Sequence, residues 1–153
     1  MLEDMDKDTL FYEYYKQWVE LYKNGAIREA TMAKYLMTQK WVEKLVPELK
    51  VSEMTRTIYQ QLLNDYAKEH ERQTTLDFHH QLKGAILDAL DEGLISRDPT
   101  RKAIIKGKAP KAKKIKYLNQ FELHTLIADL DIKDEVNWDW FILLVAKTGM
   151  RFS

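Results

Sequence analysis

The sequence predicts an all-α chain: a four-helix bundle, a basic connector, then two further helices. Only five glycines and three prolines interrupt its 153 residues. Apolar residues make up 45% of the chain, enough for a core. They recur at three- and four-residue steps, and the Val/Ile/Thr-rich alternation that strands need is scarce.

The first helix is expected over about Asp8–Lys23, capped by Asp8 or Thr9 and ended by Asn24-Gly25. Phe11, Tyr14, Tyr15, Trp18, Val19 and Tyr22 fall on one face, an aromatic stripe that reads as core. The second helix spans about Thr31–Val46 and stops before Pro47. Its stripe is Met32, Tyr35, Leu36, Val42, Leu45 and Val46, with Lys40 and Lys44 opposite and Lys34 and Thr38 at the margins. A third helix, about Thr55–Glu71, buries Ile58, Leu62, Leu63 and Tyr66. The fourth starts at Thr74-Thr75, buries Phe78, Leu82, Ile86, Ala89 and Leu90, and stops at Gly93. Four amphipathic helices with short connections describe a bundle over residues 8–100.

Formal net charge is zero, but the average hides an asymmetry. Residues 1–100 carry 13 basic and 18 acidic side chains, a net of −5, whereas 101–116 (RKAIIKGKAPKAKKIK) carry eight basic and none acidic. Such a block suits either a polyanion-binding strip or a solvated connector. With Gly107 and Pro110 inside it, the expectation is an extended interdomain linker.

Asn119 with Glu122 forms a capping-box pattern that opens a helix through Leu130. A second helix, about Asn137–Lys147, contains WDWFILLVA and is apolar nearly all round, as befits a helix in the middle of a domain. Residues 117–153 alone are too few to cover it, so they read as the opening of a larger domain.

Several function classes are excluded or unsupported. The chain has no cysteine, so disulfides and thiolate metal sites are ruled out. MLEDMDKD lacks the apolar core of a signal peptide, and the longest apolar run, Phe141–Ala146, is too short to span a bilayer. His79 and His80 are poor metal ligands, because adjacent helical residues diverge by about a hundred degrees and no third ligand is near. No metal and no cofactor is expected.

The order of these features resembles the tyrosine recombinase (phage integrase) family. Tyr117-Leu118, Glu122 and Leu126 match its Tyr-Leu-x-x-x-Glu-x-x-x-Leu opening; the apolar helix follows, then TGMRFS at 148–153. Asp98-Pro99 resembles the family's Asn-Pro turn, with Asp in place of Asn, and Thr31, Tyr35 and Met54-Thr55 keep its spacings. TGMR alone is a weak signal; in this order and at these distances it is strong, and the likeness covers about residues 8–153. It implies a SAM-like core-binding domain at 8–100, a linker at 101–116, and the start of an incomplete catalytic domain at 117–153. The partner implied is duplex DNA at an attachment-site core, with self-association of the full-length protein on it, in the cytoplasm of a bacterium and encoded there or by a phage.

The resemblance also assigns residues. Arg151 takes the role of the first catalytic arginine, whose planar guanidinium can bind two oxygens of the scissile phosphate. The eight tyrosines all precede Arg151, so none matches the family nucleophile, and this stretch alone is expected to be inactive. The second and fourth helices would face the major groove, giving Thr31, Lys34, Thr38, Lys40, Thr75, His80 and Gln81 as DNA contacts. Thr75 would offer a helix N-terminus to a phosphate, and Gly84 would permit close approach. Lys106, Lys108, Lys111, Lys113, Lys114 and Lys116 supply phosphate attraction. A non-enzymatic DNA accessory protein and a helical protein–protein adaptor remain alternatives.

Overall fold

A computed structural model describes residues 6–112 and 117–150. The chain forms two compact units, Met1–Lys111 and Ala112–Ser153. It is all-α, with no strand among the described residues. Lys113, Lys114, Lys116 and Arg151 lie outside those residues.

The first unit holds α1 (Phe11–Tyr22), α2 (Glu29–Leu45), a 3₁₀ turn (Val51–Glu53), α3 (Arg56–Ala67) and α4 (Arg72–Asp91). Neither Asp8 nor Thr9 caps α1. The entering chain is instead paired with the segment after α2: Phe11 N–H donates to Leu49 O (2.7 Å) and Val51 N–H to Thr9 O (2.9 Å). Asp8 faces Lys50 at 2.7 Å. The cap at Thr55, whose hydroxyl accepts from Ile58 N–H, and the left-handed turn at Gly25 (φ 74°), three residues past α1, follow from local chemistry alone.

Five of the six aromatic-stripe positions on α1 are buried; Tyr22, at the helix end, is not. Trp18 is the hub. Its indole stacks on Tyr15 and packs against Tyr22 and Tyr35, its Nε1–H donates to Asp88 at 2.6 Å, and Lys23 Nζ lies 4.5 Å from its ring. A Cβ on Gly84 would stand 3.1 Å from that indole. Gly84 thus serves the contact between α1 and α4, which corrects its assignment to the DNA face. Leu36 is also corrected. It is 44% exposed, because α2 turns Thr38 and Val42 inward instead. A second aromatic group seals α3 against α4: Tyr66 stacks between His70 and Phe78, both at 3.9 Å, and Trp41 meets Tyr66 edge-on.

The basic segment departs from the expected free linker. Through Lys111 it is strapped to the bundle. Ile104 N–H donates to Gln60 Oε1 and Gln60 Nε2 to Ile104 O, both at 2.9 Å. Lys108 N–H donates to His70 O (2.8 Å), and Arg72 N–H returns a bond to Lys108 O (3.4 Å). Gly107 makes this closure possible, since a Cβ there would lie 2.3 Å from Arg72 N.

The second unit contains α5 (Gln120–Ala128) and α6 (Trp138–Thr148). The Asn119–Glu122 capping box is present, with reciprocal bonds of 2.9 and 2.8 Å. Asn137 caps α6, and Gly149 ends it at φ 66°. No described residue of this unit is fully buried, and Trp138 is 76% exposed.

Candidate nucleic-acid interface

Between α2 and α4 lies a groove of about 280 Å³. Lys34, Met37 and Thr38 line it from α2 and Thr74, Asp77 and Gln81 from α4, over a floor of Tyr66 and Phe78. The spacing explains the grouping: steps of three and four residues place each triplet on one helical face. The Thr38 hydroxyl, buried at the junction, donates to Gln81 Oε1 and ties the two walls together. The Gln81 amide therefore keeps its Nε2 donors without a partner among the described residues. Such donors match the O6 and N7 acceptors of guanine, or O4 of thymine, at a major-groove edge. Met37, 55% exposed, offers the apolar contact that a thymine methyl accepts. Asp77, which accepts from Gln73 (3.2 Å), can receive a cytosine amine but repels phosphate.

Of the seven positions expected on the two helices, Lys34, Thr38 and Gln81 come together here. Thr31, Lys40 and His80 are exposed but do not line the groove. Thr38 is a wall-to-wall tie and not an exposed margin. Thr75 is also corrected. Helix α4 begins at Arg72, so Thr75 falls in its interior, fully buried, with its hydroxyl donated to Glu71 O (3.2 Å). The helix N-terminus is likewise not a bare phosphate site, since Glu71 occupies the cap position and Arg72 N–H is taken by Lys108. Lys106, Lys108 and Lys111 are exposed on the strap, and Lys111 N–H donates to Glu71 Oε1 (3.3 Å). Met37 and Thr74 were missing from the expected set, although their helical spacing from Lys34 and Gln81 identifies them; Asp77 falls on the same face of α4 as Gln81.

Behind the groove, His79 Nδ1 lies 2.8 Å from the Tyr59 hydroxyl. Burial pushes the His79 pKa below its ordinary value, His80 and Lys83 push the same way, and Asp98 opposes them. The unfolded chain thus takes up this proton first as pH falls, so the neutral imidazole's contribution is full above about pH 6.5 and is lost below it, toward the lower folded pKa. Urea midpoints at pH 7 and pH 5.5 should show a drop that His79→Gln flattens. An undiminished drop in the variant would assign the loss to carboxylates.

No family model matches the chain, and no curated protein does. Among solved structures, the N-terminal domain of the prophage pi2 protein 01 (integrase) of Lactococcus lactis is 36% identical over 65% of this chain and 94% of that one, with a TM-score of 0.62. The chain belongs to the tyrosine recombinase (integrase) family. This integrase chain is also similar to a phage integrase fragment of Staphylococcus saprophyticus, 29% identical over 63% of the chain and 87% of the fragment (TM-score 0.57). The Tn1549 transposon integrase in complex with a circular intermediate DNA matches 94% of the integrase chain with a TM-score of 0.69. At 12% identity that likeness is one of fold, and the chain spans 46% of the solved Tn1549 integrase fragment, residues 82–397. Among the described residues no helix is long and apolar enough to cross a membrane.

Proposed function

We propose that this integrase chain binds duplex DNA, with the α2/α4 groove on base edges in the major groove and Lys106, Lys108 and Lys111 of the strap on phosphates. The single observation that carries the reading is the groove itself. It joins a lysine, an amide with spare donors and an exposed methionine on two facing helices, in a chain that belongs to a family of DNA recombinases. In this reading residues 8–100 grip the DNA, 101–116 connect, and 117–153 open the catalytic domain. The complete recombinase joins a tyrosine to the scissile phosphate, releases a 5′-hydroxyl, and lets a second strand reverse the 3′-phosphotyrosyl link. That link conserves the bond energy, so the chemistry needs neither a nucleotide nor a metal ion. Integration and excision of a mobile element, with several copies assembled on the attachment site, belong to the same proposal.

Selection from a randomised duplex pool tests the groove. The 153-residue chain should enrich a consensus, and Gln81→Ala should relax one position of it by about 1–3 kcal/mol while leaving the salt dependence of binding nearly unchanged. A chain that binds no duplex, or a variant with an unaltered consensus, would remove the groove from DNA reading. The net charge of −5 over residues 1–100 gives the lysines of the basic segment most of the phosphate attraction.

A further inference from the structure

At the end of the bundle remote from the α3–α4 turn, Arg56 of α3 gathers with Arg97, Arg101 and Lys102, which follow α4. They surround a cavity of about 610 Å³ whose single acidic wall is Asp98. That carboxylate is engaged: its Oδ1 accepts from the Thr100 N–H (2.8 Å) and hydroxyl (2.7 Å). None of the four cations makes an ion pair among the described residues. Four mutually repelling charges in an otherwise acidic bundle are the arrangement an anion would stabilise.

Backbone geometry gives a second, independent sign. Lys102 is the one non-glycine residue with positive φ among the described residues, at 58°. Glycine would hold that conformation without strain, and a side chain there is uncommon. The chain keeps it by fixing both sides: Ala103 N–H donates to Thr100 O (3.2 Å), and Ile104 is held at N–H and carbonyl by Gln60. Strained non-glycine positions of this kind concentrate at ligand sites. Arg56 and Lys102 also line an adjoining cavity of about 480 Å³ along α3, with Thr57, Gln60, Gln61 and Asn64. The cations thus open onto a track of neutral hydrogen-bonding side chains.

We propose that Arg56, Arg97, Arg101 and Lys102 form a second DNA contact that takes backbone phosphates outside the α2/α4 groove. The proposal rests on the DNA-binding reading above and adds a site to it. Three arginines favour phosphate, whose oxygens accept the guanidinium fork two at a time. Beyond them, the Thr57 hydroxyl and the Asn64 Nδ2 donors suit the uncharged sugar and phosphate ester oxygens, whereas the Gln60 amide is held by Ile104 and Asn64. From Asp77 to Asp91, α4 rises about 21 Å, so the cluster lies well apart from the groove and adds phosphate contacts beyond it. Its role is affinity, not sequence reading.

The test uses the 153-residue chain and a mixed-sequence duplex of about 30 base pairs, with affinity measured by anisotropy against salt. Combining Arg56→Gln, Arg97→Gln, Arg101→Gln and Lys102→Gly should lower the magnitude of the log–log slope by about 2–3, at about 0.9 per phosphate. Affinity at low salt should fall at least about tenfold, and the base preference governed by Gln81 should persist. The milder pair Arg97→Gln/Arg101→Gln, both on exposed side chains, should lower the slope by about 1–2 and guards against misfolding of the larger variant. A wild-type chain that ignores duplex DNA overturns both proposals. Wild-type binding with an unchanged slope in both folded variants overturns this site alone. If those variants instead lose retention on polyglutamate, the cluster serves an acidic protein surface, which also overturns the assignment.

Discussion

Trp18→Ala is expected to destabilise the first unit by about 3–5 kcal/mol, the usual cost of emptying a buried aromatic site. The side chain is 2% exposed and lies against three tyrosine rings. Its removal also strips Asp88 of the indole donor and leaves Gly84 facing a void, so collapse of neighbouring atoms can recover little. Domains of this kind are typically stable by only about 5–15 kcal/mol, so the variant should be partly unfolded near physiological temperature. Urea denaturation followed by circular dichroism measures the change. A loss below about 1 kcal/mol would mean that Trp18 is not the hub of the core.

A second large effect is expected on chemistry. If Arg151 takes the catalytic role that the resemblance implies, Arg151→Ala in the full-length recombinase proposed above should slow strand cleavage by about 10²–10³-fold while DNA affinity stays close to wild type. A guanidinium on the scissile phosphate meets its full charge only as the pentavalent transition state forms, so its loss falls on rate more than on binding. The readout is the covalent protein–DNA adduct on a denaturing gel, from suicide substrates nicked beside the cut site. An enzyme that remains fully active without Arg151 would remove this arginine from the catalytic set.

Much of the fold was legible because its signals are local. The aromatic stripe of α1, the caps at Thr55, Asn119 and Asn137, and the stops at Gly25 and Gly149 are each decided within a few residues. What failed was decided at a distance. Thr38 reads as a polar margin until Gln81 of another helix accepts its hydroxyl. Gly84 reads as room for DNA until Trp18, 66 positions earlier in the sequence, fills that room. The start of α4 at Arg72 follows from its pairing with Lys108, which no window around Thr74 contains. The same holds for the candidate interface: helical spacing puts Lys34 and Gln81 on faces that meet in one groove, but a run of eight like charges does not disclose that its first part is docked. The Arg56 cluster was missed altogether, because its members come from segments 41 positions apart.

The double attachment of the first unit also sets an order of assembly. The α3–α4 hairpin joins residues close in sequence and can form early, whereas pairing residues 9–11 with 49–51, or 70–72 with 108, closes loops of roughly 40 residues whose entropy is met late. The strap that carries Lys106 and Lys108 therefore closes after that local hairpin. If those lysines hold phosphate, DNA binds the finished unit and not its precursors, and each bound duplex draws the folding equilibrium of the whole bundle toward the native state. On the attachment site, occupancy and thermal stability then become one linked quantity.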